Sequence, residues 1–262
     1  MVQMSSYPHG TFCWVELSTT DTEGAKSFYT QLLGWEAEDS PVPGGGIYTM
    51  CKLGDAYVAA IQSLQQEMQS QGHPPFWLSY VAVDSVDKAA ARAEELGAKI
   101  MAPPFDVMDV GRMTVIQDPT KAGLALWEAK SHPGAGIVGE PGALCWNELT
   151  TGDVDTARDF YTQMFGWTAE KQDMGAFEYT VFSNAERQVA GMAPVMPQMG
   201  DMPPSWGVSF AVEDADASAA RVKDLGGTIV VPPTDFPDGR FATATDPQGA
   251  FFSVVKLNEW PG

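Results

Sequence analysis

Two stretches of the chain, WVELSTTDTEGAKSFYTQLLGWEAE from Trp14 and WNELTTGDVDTARDFYTQMFGWTAE from Trp146, agree at about fourteen of twenty-five positions, far more than composition alone yields. The likeness continues downstream: VAVDSVDKAAARAEELGAKIMAPP aligns with FAVEDADASAARVKDLGGTIVVPP without a gap. Gly111-Arg112 and Asp118-Pro119 return as Gly239-Arg240 and Asp246-Pro247. A tandem duplication folds into two similar units, and 262 residues suffice for two domains that each bury a core. Residues 1–130 and 143–262 are the expected domains. The Gly- and Pro-rich, non-periodic stretch Ser131–Gly142 is the expected linker.

Each half divides again. Ala25, Phe28, Tyr29, Leu32 and Leu33 mark one face of a helix that starts behind Asp21 and stops at Gly34. Strands are expected before it and over Ile47–Leu53 and Ala56–Ile61. A strand from Phe76 to Val83 then leads to a second helix carrying Val86, Ala89, Ala90, Ala93 and Leu96, closed by Gly97 and followed by strands near Ala98, Arg112 and Leu124. The order strand, helix, three strands thus occurs four times. The predicted class is α+β: four βαβββ modules, paired into two eight-stranded cups with helices outside and a concave face for a ligand.

Charge narrows the partners. With 34 acidic against 15 basic residues and a formal charge of −19, the chain repels phosphate backbones and anionic lipid, so neither nucleic acid nor membrane is an expected partner. Cys13, Cys51 and Cys145 are too few and too odd in number for a disulfide framework. No export signal or long apolar run is present. The expectation is a cytoplasmic monomer or homodimer that binds a small molecule.

The ordered set of strand, Asp N-cap, FYTQLLGW helix, LG helix stop, PP, GR and DP, repeated twice over essentially the whole chain, resembles the vicinal oxygen chelate superfamily of glyoxalases, bleomycin resistance proteins and dioxygenases. It is similar to the tandem-domain, glyoxalase-like or hydroxylase-like type found in actinobacteria. That resemblance implies a metal site with a His or Gln from the first strand, a second ligand from the equivalent strand of the partner module, and a Glu from the last strand. Here those positions hold Trp14 and Trp146, then Trp77, Leu78, Trp206 or Gly207, and Ala125 and Ser253. His9, His73 and His132 fall in a tail or in Pro-adjacent loops, away from the strands expected to line a cup. No metal and no other cofactor is therefore expected.

Residues two apart share a strand face, so Trp14 with Glu16, and Trp146 with Glu148, are expected to point into the cups. A carboxyl beside an indole in a dry concavity has a raised pKa and suits acid–base work; the alternative is a Trp packed in the core and a Glu facing water or an Arg. Arg112 and Arg240 either grip a substrate anion or clamp the preceding loop through Asp106 and Asp235. Tyr48 and Tyr179 correspond between halves and offer a phenol to each cup, or pack at a sheet edge. Trp77, Trp127 and Trp206 fit an aromatic wall for a planar ligand and equally a plain core. The methionines of Pro194–Pro204 fit a cup mouth. Two functions follow: a metal-independent lyase, isomerase or hydroxylase-like enzyme acting on a small carbonyl or hydroxylated aromatic compound, or a protein that sequesters a flat or cationic molecule, as the bleomycin-resistance branch of the family does.

Overall fold

The computed structural model describes residues 3–42, 45–175, 177–196 and 203–258. In the first half, β1 (Thr11–Thr19), α1 (Thr22–Leu33), β2 (Glu36–Pro41), β3 (Ile47–Leu53) and β4 (Ala56–Ser63) are followed by the short α2 (Gln66–Ser70). Then come β5 (Phe76–Ala82), α3 (Val86–Glu95), β6 (Lys99–Val107), β7 (Gly111–Gln117) and β8 (Gly123–Ala129). The second half repeats the order with β9 (Leu144–Thr151), α4 (Val154–Phe165), β10 (Thr168–Asp173), β11 (Glu178–Asn184), β12 (Arg187–Pro194), β13 (Ser205–Ala211), α5 (Ala215–Asp224), β14 (Thr228–Phe236), β15 (Gly239–Thr245) and β16 (Phe251–Leu257).

Each half is one eight-stranded mixed sheet, in the orders β2-β3-β4-β1-β5-β8-β7-β6 and β10-β11-β12-β9-β13-β16-β15-β14. The two modules of a half meet where the antiparallel pair β1–β5, or β9–β13, closes the middle of the sheet. The expected helix starts and stops are in place. Asp21 and Asp153 accept the backbone N–H of Gly24 and Thr156, and Gly34 and Gly166 close α1 and α4 at φ near 74° and 72°, where a side chain would be strained.

The halves do not bury separate cores, which corrects the sequence expectation. The convex face of the first module packs on that of the fourth: Val15, Leu17, Phe28 and Tyr29 share one cluster with Val208, Phe210, Phe252 and Val254. The second module likewise packs on the third, with Val81, Ile116 and Leu126 against Leu149, Phe160, Tyr161 and Phe182. The helices lie in this interface rather than on a solvent-facing outside; α1 touches α5 and α3 touches α4.

A reciprocal hydrogen-bond chain locks the interface. Trp77 Nε1 donates to Tyr29 Oη at 3.1 Å, and Tyr29 donates to Asp246 of the other half at 3.1 Å. Trp206 Nε1 donates to Tyr161 Oη at 2.7 Å, and Tyr161 donates to Asp118 at 2.7 Å. Each Asp uses its other oxygen to hold its own turn, Asp118 through Thr120 and Ala122, Asp246 through Gln248, Gly249 and Ala250. Near the middle, Asn147 donates to Ser79 across the halves at 2.8 Å.

Tyr161→Phe leaves the Trp206 N–H and one Asp118 oxygen without a partner in the interior, and should cost about 1–3 kcal/mol. Denaturant unfolding should remain one transition that shifts as a whole. Two separated transitions, with only one moved by the substitution, would show that the halves fold independently.

Candidate functional site

Strand alternation decides what faces each cup. On β1, Val15 and Leu17 enter the interface while Trp14 and Glu16 turn to the concave side; on β9, Leu149 enters the interface while Trp146 and Glu148 turn away from it. Tyr48 and Tyr179 reach the same carboxylates from the neighbouring hairpins. Trp146 Nε1 donates to Tyr179 Oη at 3.0 Å, and Tyr179 donates to Glu148 Oε2 at 2.8 Å. In the first half Tyr48 packs against the cluster that holds Trp14 and donates to Glu16 Oε2 at 2.6 Å. Six of the residues singled out in the sequence therefore meet as two Trp, Tyr and Glu groups, one per cup, linked as a full hydrogen-bond chain in the second.

The two groups differ in what surrounds them. Glu16 is buried and both its oxygens are engaged, since Tyr48 donates to Oε2 and Gln62 to Oε1. Glu148 is half-buried, Tyr179 is its hydrogen-bond partner, and Oε1 accepts nothing from the described residues. Burial pushes both carboxyls above the ordinary carboxylate value. Hydrogen bonds from Tyr48, Tyr80 and Gln62 pull Glu16 back, whereas Tyr179 alone does so for Glu148.

The first cup is filled by its own chain. Residues 132–138 cross it as a strap: Ala135 N–H donates to Cys13 O, Gly136 N–H donates to Tyr57 O, and Tyr7 Oη donates to Ala135 O. His132 packs edge-on against Trp14 with ring centroids 4.6 Å apart, and Trp127 Nε1 donates to its carbonyl. His132 thus sits in the cup, contrary to the expectation for a loop histidine. Trp14, Tyr80, Met113, Ala125, Trp127 and Ala135 make a closed apolar cluster, so Trp127 is a packing residue covered by the strap. In the second cup Trp146, Glu148, Tyr179, Phe241, Thr243 and Ser253 all remain half-exposed.

Four residues do not join either site. Trp77 and Trp206 lie on the convex side in the Tyr29 and Tyr161 chains, because the pairings Trp14–Tyr80 and Trp146–Ser209 turn Tyr80 and Ser209 to the concave face, and Trp77 and Trp206 are an odd number of residues from them. Arg112 and Arg240 share the convex parity of Ile116 and Ala242. Each makes a bidentate pair with an aspartate in the first turn of the neighbouring helix, Arg112 with Asp87 and Arg240 with Asp216, and reaches Asp106 and Asp235 in addition. They clamp helix to sheet on the side opposite the cup. Met-rich Pro194–Pro204 falls partly outside the described residues, at 197–202.

Level with Trp14 and Trp146 the pairings set Tyr80 and Ala125 in one cup and Ser209 and Ser253 in the other, which corrects the expected partner-strand positions Trp77, Leu78, Trp206 and Gly207. No three His, Cys, Asp or Glu side chains converge among the described residues. Indole, hydroxyl and methyl groups do not make the several imidazole or carboxylate donors that a divalent ion of the usual N/O type requires, so the residues present do not fit one.

The profile of the Glyoxalase/Bleomycin resistance protein/Dioxygenase superfamily matches residues 11–126 and 143–254. A Mycobacterium tuberculosis (strain CDC 1551 / Oshkosh) protein labelled glyoxylase CFP32 is 45% identical over 260 residues, 98% of each chain. The anthracycline biosynthesis protein DnrV of Streptomyces peucetius is 35% identical over 266 residues, covering 98% of this chain and 96% of its own. Among solved structures, the Mn(II)-bound glyoxalase of Novosphingobium aromaticivorans superposes with a TM-score of 0.67 at 18% identity, over 96% of this chain and 83% of that one. The 2,3-dioxygenase LapB of Pseudomonas sp. KL28 gives 0.67 at 14%, over 97% and 95%. At such identities the structural likeness is one of fold.

Arg240→Gln and Arg112→Gln should leave small-molecule affinity at the second cup unchanged while loosening the helix clamp. Titration calorimetry alongside thermal unfolding checks this; an affinity loss without a change in melting would bring the arginines back to the site.

Proposed function

The chain belongs to the Glyoxalase/Bleomycin resistance protein/Dioxygenase superfamily, and on that premise we propose that it takes a small carbonyl or hydroxylated aromatic compound into its second cup and moves a proton there with Glu148, without a metal ion. The carrying observation is the contrast between the two carboxylates. Glu16 is buried with both oxygens hydrogen-bonded, whereas Glu148 is half-buried beside a half-exposed indole and its Oε1 accepts no hydrogen bond from the described residues. Burial raises the Glu148 carboxyl toward the range where a carboxylate both accepts and returns a proton near neutral pH.

In this reading Trp146 forms the wall on which a flat substrate stacks. Tyr179, polarised by the Trp146 N–H, holds Oε2 so that Oε1 faces the substrate. Oε1 takes a proton from an acidic C–H or O–H of the substrate and hands it back at another atom, and the carboxylate ends as it began. Glu16, with no free oxygen, is a structural group of the filled cup. The name of the Streptomyces relative agrees with an aromatic substrate, since anthracyclines are polycyclic hydroxylated aromatics. Sequestration by the same cup remains the second reading, favoured by a wall that needs no chemistry to hold a flat ligand. The two separate on whether a bound compound is released unchanged.

Because the Glu148 carboxyl is raised, the base form is lost on acidification at a higher pH than for an ordinary carboxylate, near 4.3. The rising limb of kcat/KM against pH should therefore lie above that value. Glu148→Gln should remove the limb and lower kcat by about 10²–10⁴-fold, while Glu16→Gln should stay within a few fold. A profile unchanged by Glu148→Gln would sink the proton-transfer role. Trp146→Ala should weaken binding by roughly ten- to a hundredfold, the loss of about 1–3 kcal/mol of stacking area.

A further inference from the structure

Strand β12 runs parallel beside β9 and lays two concave-face residues along Glu148. Glu148 pairs with Gly191, and Thr150 with Ala193. In the first half the same places on β4 hold Ala60, paired with Glu16, and Gln62, paired with Ser18. Met192 and Ile61, which separate these residues, enter the convex clusters, so Gly191, Ala193, Ala60 and Gln62 share the face of the carboxylates. On the opposite flank Gly207 of β13 stands beside Glu148 where Leu78 of β5 stands beside Glu16. Each of these three neighbours of Glu148 is smaller than its counterpart.

The bare Cα at 191 is a requirement of the hydrogen-bond chain. A Cβ built there would overlap Tyr179 Oη and Cζ and lie 2.9 Å from Trp146 Nε1. Gly191 is not among the glycines with positive φ, so its backbone does not call for glycine; the tyrosine does. Tyr179 crosses that Cα to accept the Trp146 N–H at 3.0 Å and to donate to Glu148 Oε2 at 2.8 Å. Position 193 acts on the other oxygen. Gln62 donates to Glu16 Oε1, whereas Ala193 has no donor to offer and Glu148 Oε1 accepts nothing from the described residues. Tyr179 is the titratable group that reaches Glu148; Glu170, on the edge strand β10, shares the concave face and is exposed.

We propose that Gly191 and Ala193 are the positioning residues of the second cup: the missing Cβ of Gly191 seats Tyr179 between Trp146 and Glu148, and the short side chain of Ala193 leaves Oε1 without a protein donor and open to a proton from the ligand. On the reading of Glu148 as the proton-transfer group, on which this rests, two residues of one strand decide which half works. The carboxylate itself is common to both halves. Ala60 and Gln62 hold Glu16 as a structural group, and a glutamine at 193 would hold Glu148 in the same way.

Gly191→Ala, Ala193→Gln and the reciprocal Gln62→Ala, each made in the whole chain, test this by indole NMR and by carbon NMR of the glutamate carboxyls against pH. Gly191→Ala should displace the Tyr179 ring, so that the Trp146 indole N–H resonance moves upfield and Glu148 titrates at higher pH, having lost a hydrogen bond that favours its charged form. Ala193→Gln should move the Glu148 titration the opposite way, and Gln62→Ala should move that of Glu16 to higher pH. General loosening of the fold would lower the melting temperature without these opposed shifts. If Gly191→Ala does not fold, pairing it with Tyr179→Phe removes the hydroxyl that the new Cβ meets; Glu148 should then titrate as in Tyr179→Phe alone, and a further shift counts against Gly191. An unmoved indole resonance and Glu148 titration in Gly191→Ala would overturn the role of Gly191, and a Glu148 titration that does not fall in Ala193→Gln that of Ala193. Should all three variants respond as expected while Glu148→Gln keeps the pH limb of kcat/KM, the positioning residues stand and the proton-transfer reading falls.

Discussion

The pair of crossed Trp–Tyr–Asp chains is the constraint on which the architecture turns. Tyr29 and Tyr161 each project from the first helix of one half and donate to an aspartate in the last turn of the other. Stacking fixes them further: Tyr29 lies on Trp35 and Tyr161 on Trp167, at interplanar angles of 23° and 20°. Trp35 in turn donates to Gly142 O just ahead of β9, and Trp167 to Gly10 O just ahead of β1. Each half therefore positions the entry strand of the other. A buried polar network of this kind is costly when incomplete and rigid when complete, so the relative placement of the sheets is set, and with it the directions in which the cups open.

Against that interior, which both halves share, the concave faces differ. Both keep Trp, Tyr and Glu at matching places, but the first also holds Tyr80, Trp127 and the strap, which form a third apolar cluster. The second has glycines and hydroxyls at the matching places. Packing thus occupies one concavity and leaves the other partly exposed to solvent, a difference that neither the interface nor the strand order requires.

Much of this was legible beforehand. The helix caps at Asp21 and Asp153, the strand order and the convergence of Trp14, Glu16 and Tyr48 follow from repeat and alternation, which are local. The faces of Trp77 and Trp206 were not, because β1 and β9 each carry an irregularity beside Trp14 and Trp146, and one residue of slip reverses every side chain. The arginine partners were missed for a related reason: Asp87 is 25 residues from Arg112, whereas Asp106 is close by and drew attention. The strap and His132 lie in a segment without period, which carries no sequence signal of where it packs. The difference between the concave faces did leave a trace, since aligning the halves sets Ser209 against Tyr80 and Ser253 against Ala125.

The reciprocal bonds between the halves have an evolutionary corollary. Every one of them would be satisfied equally well by two copies of a single half related by a two-fold axis, each tyrosine reaching its partner's aspartate. In such a homodimer a substitution in one concavity occurs in both, so neither can be closed without closing the other. Joining the copies through residues 131–142 removes that symmetry while leaving the interface intact. A covalent tether is what allows one ancestral pocket to become interior while its twin goes on meeting the solvent.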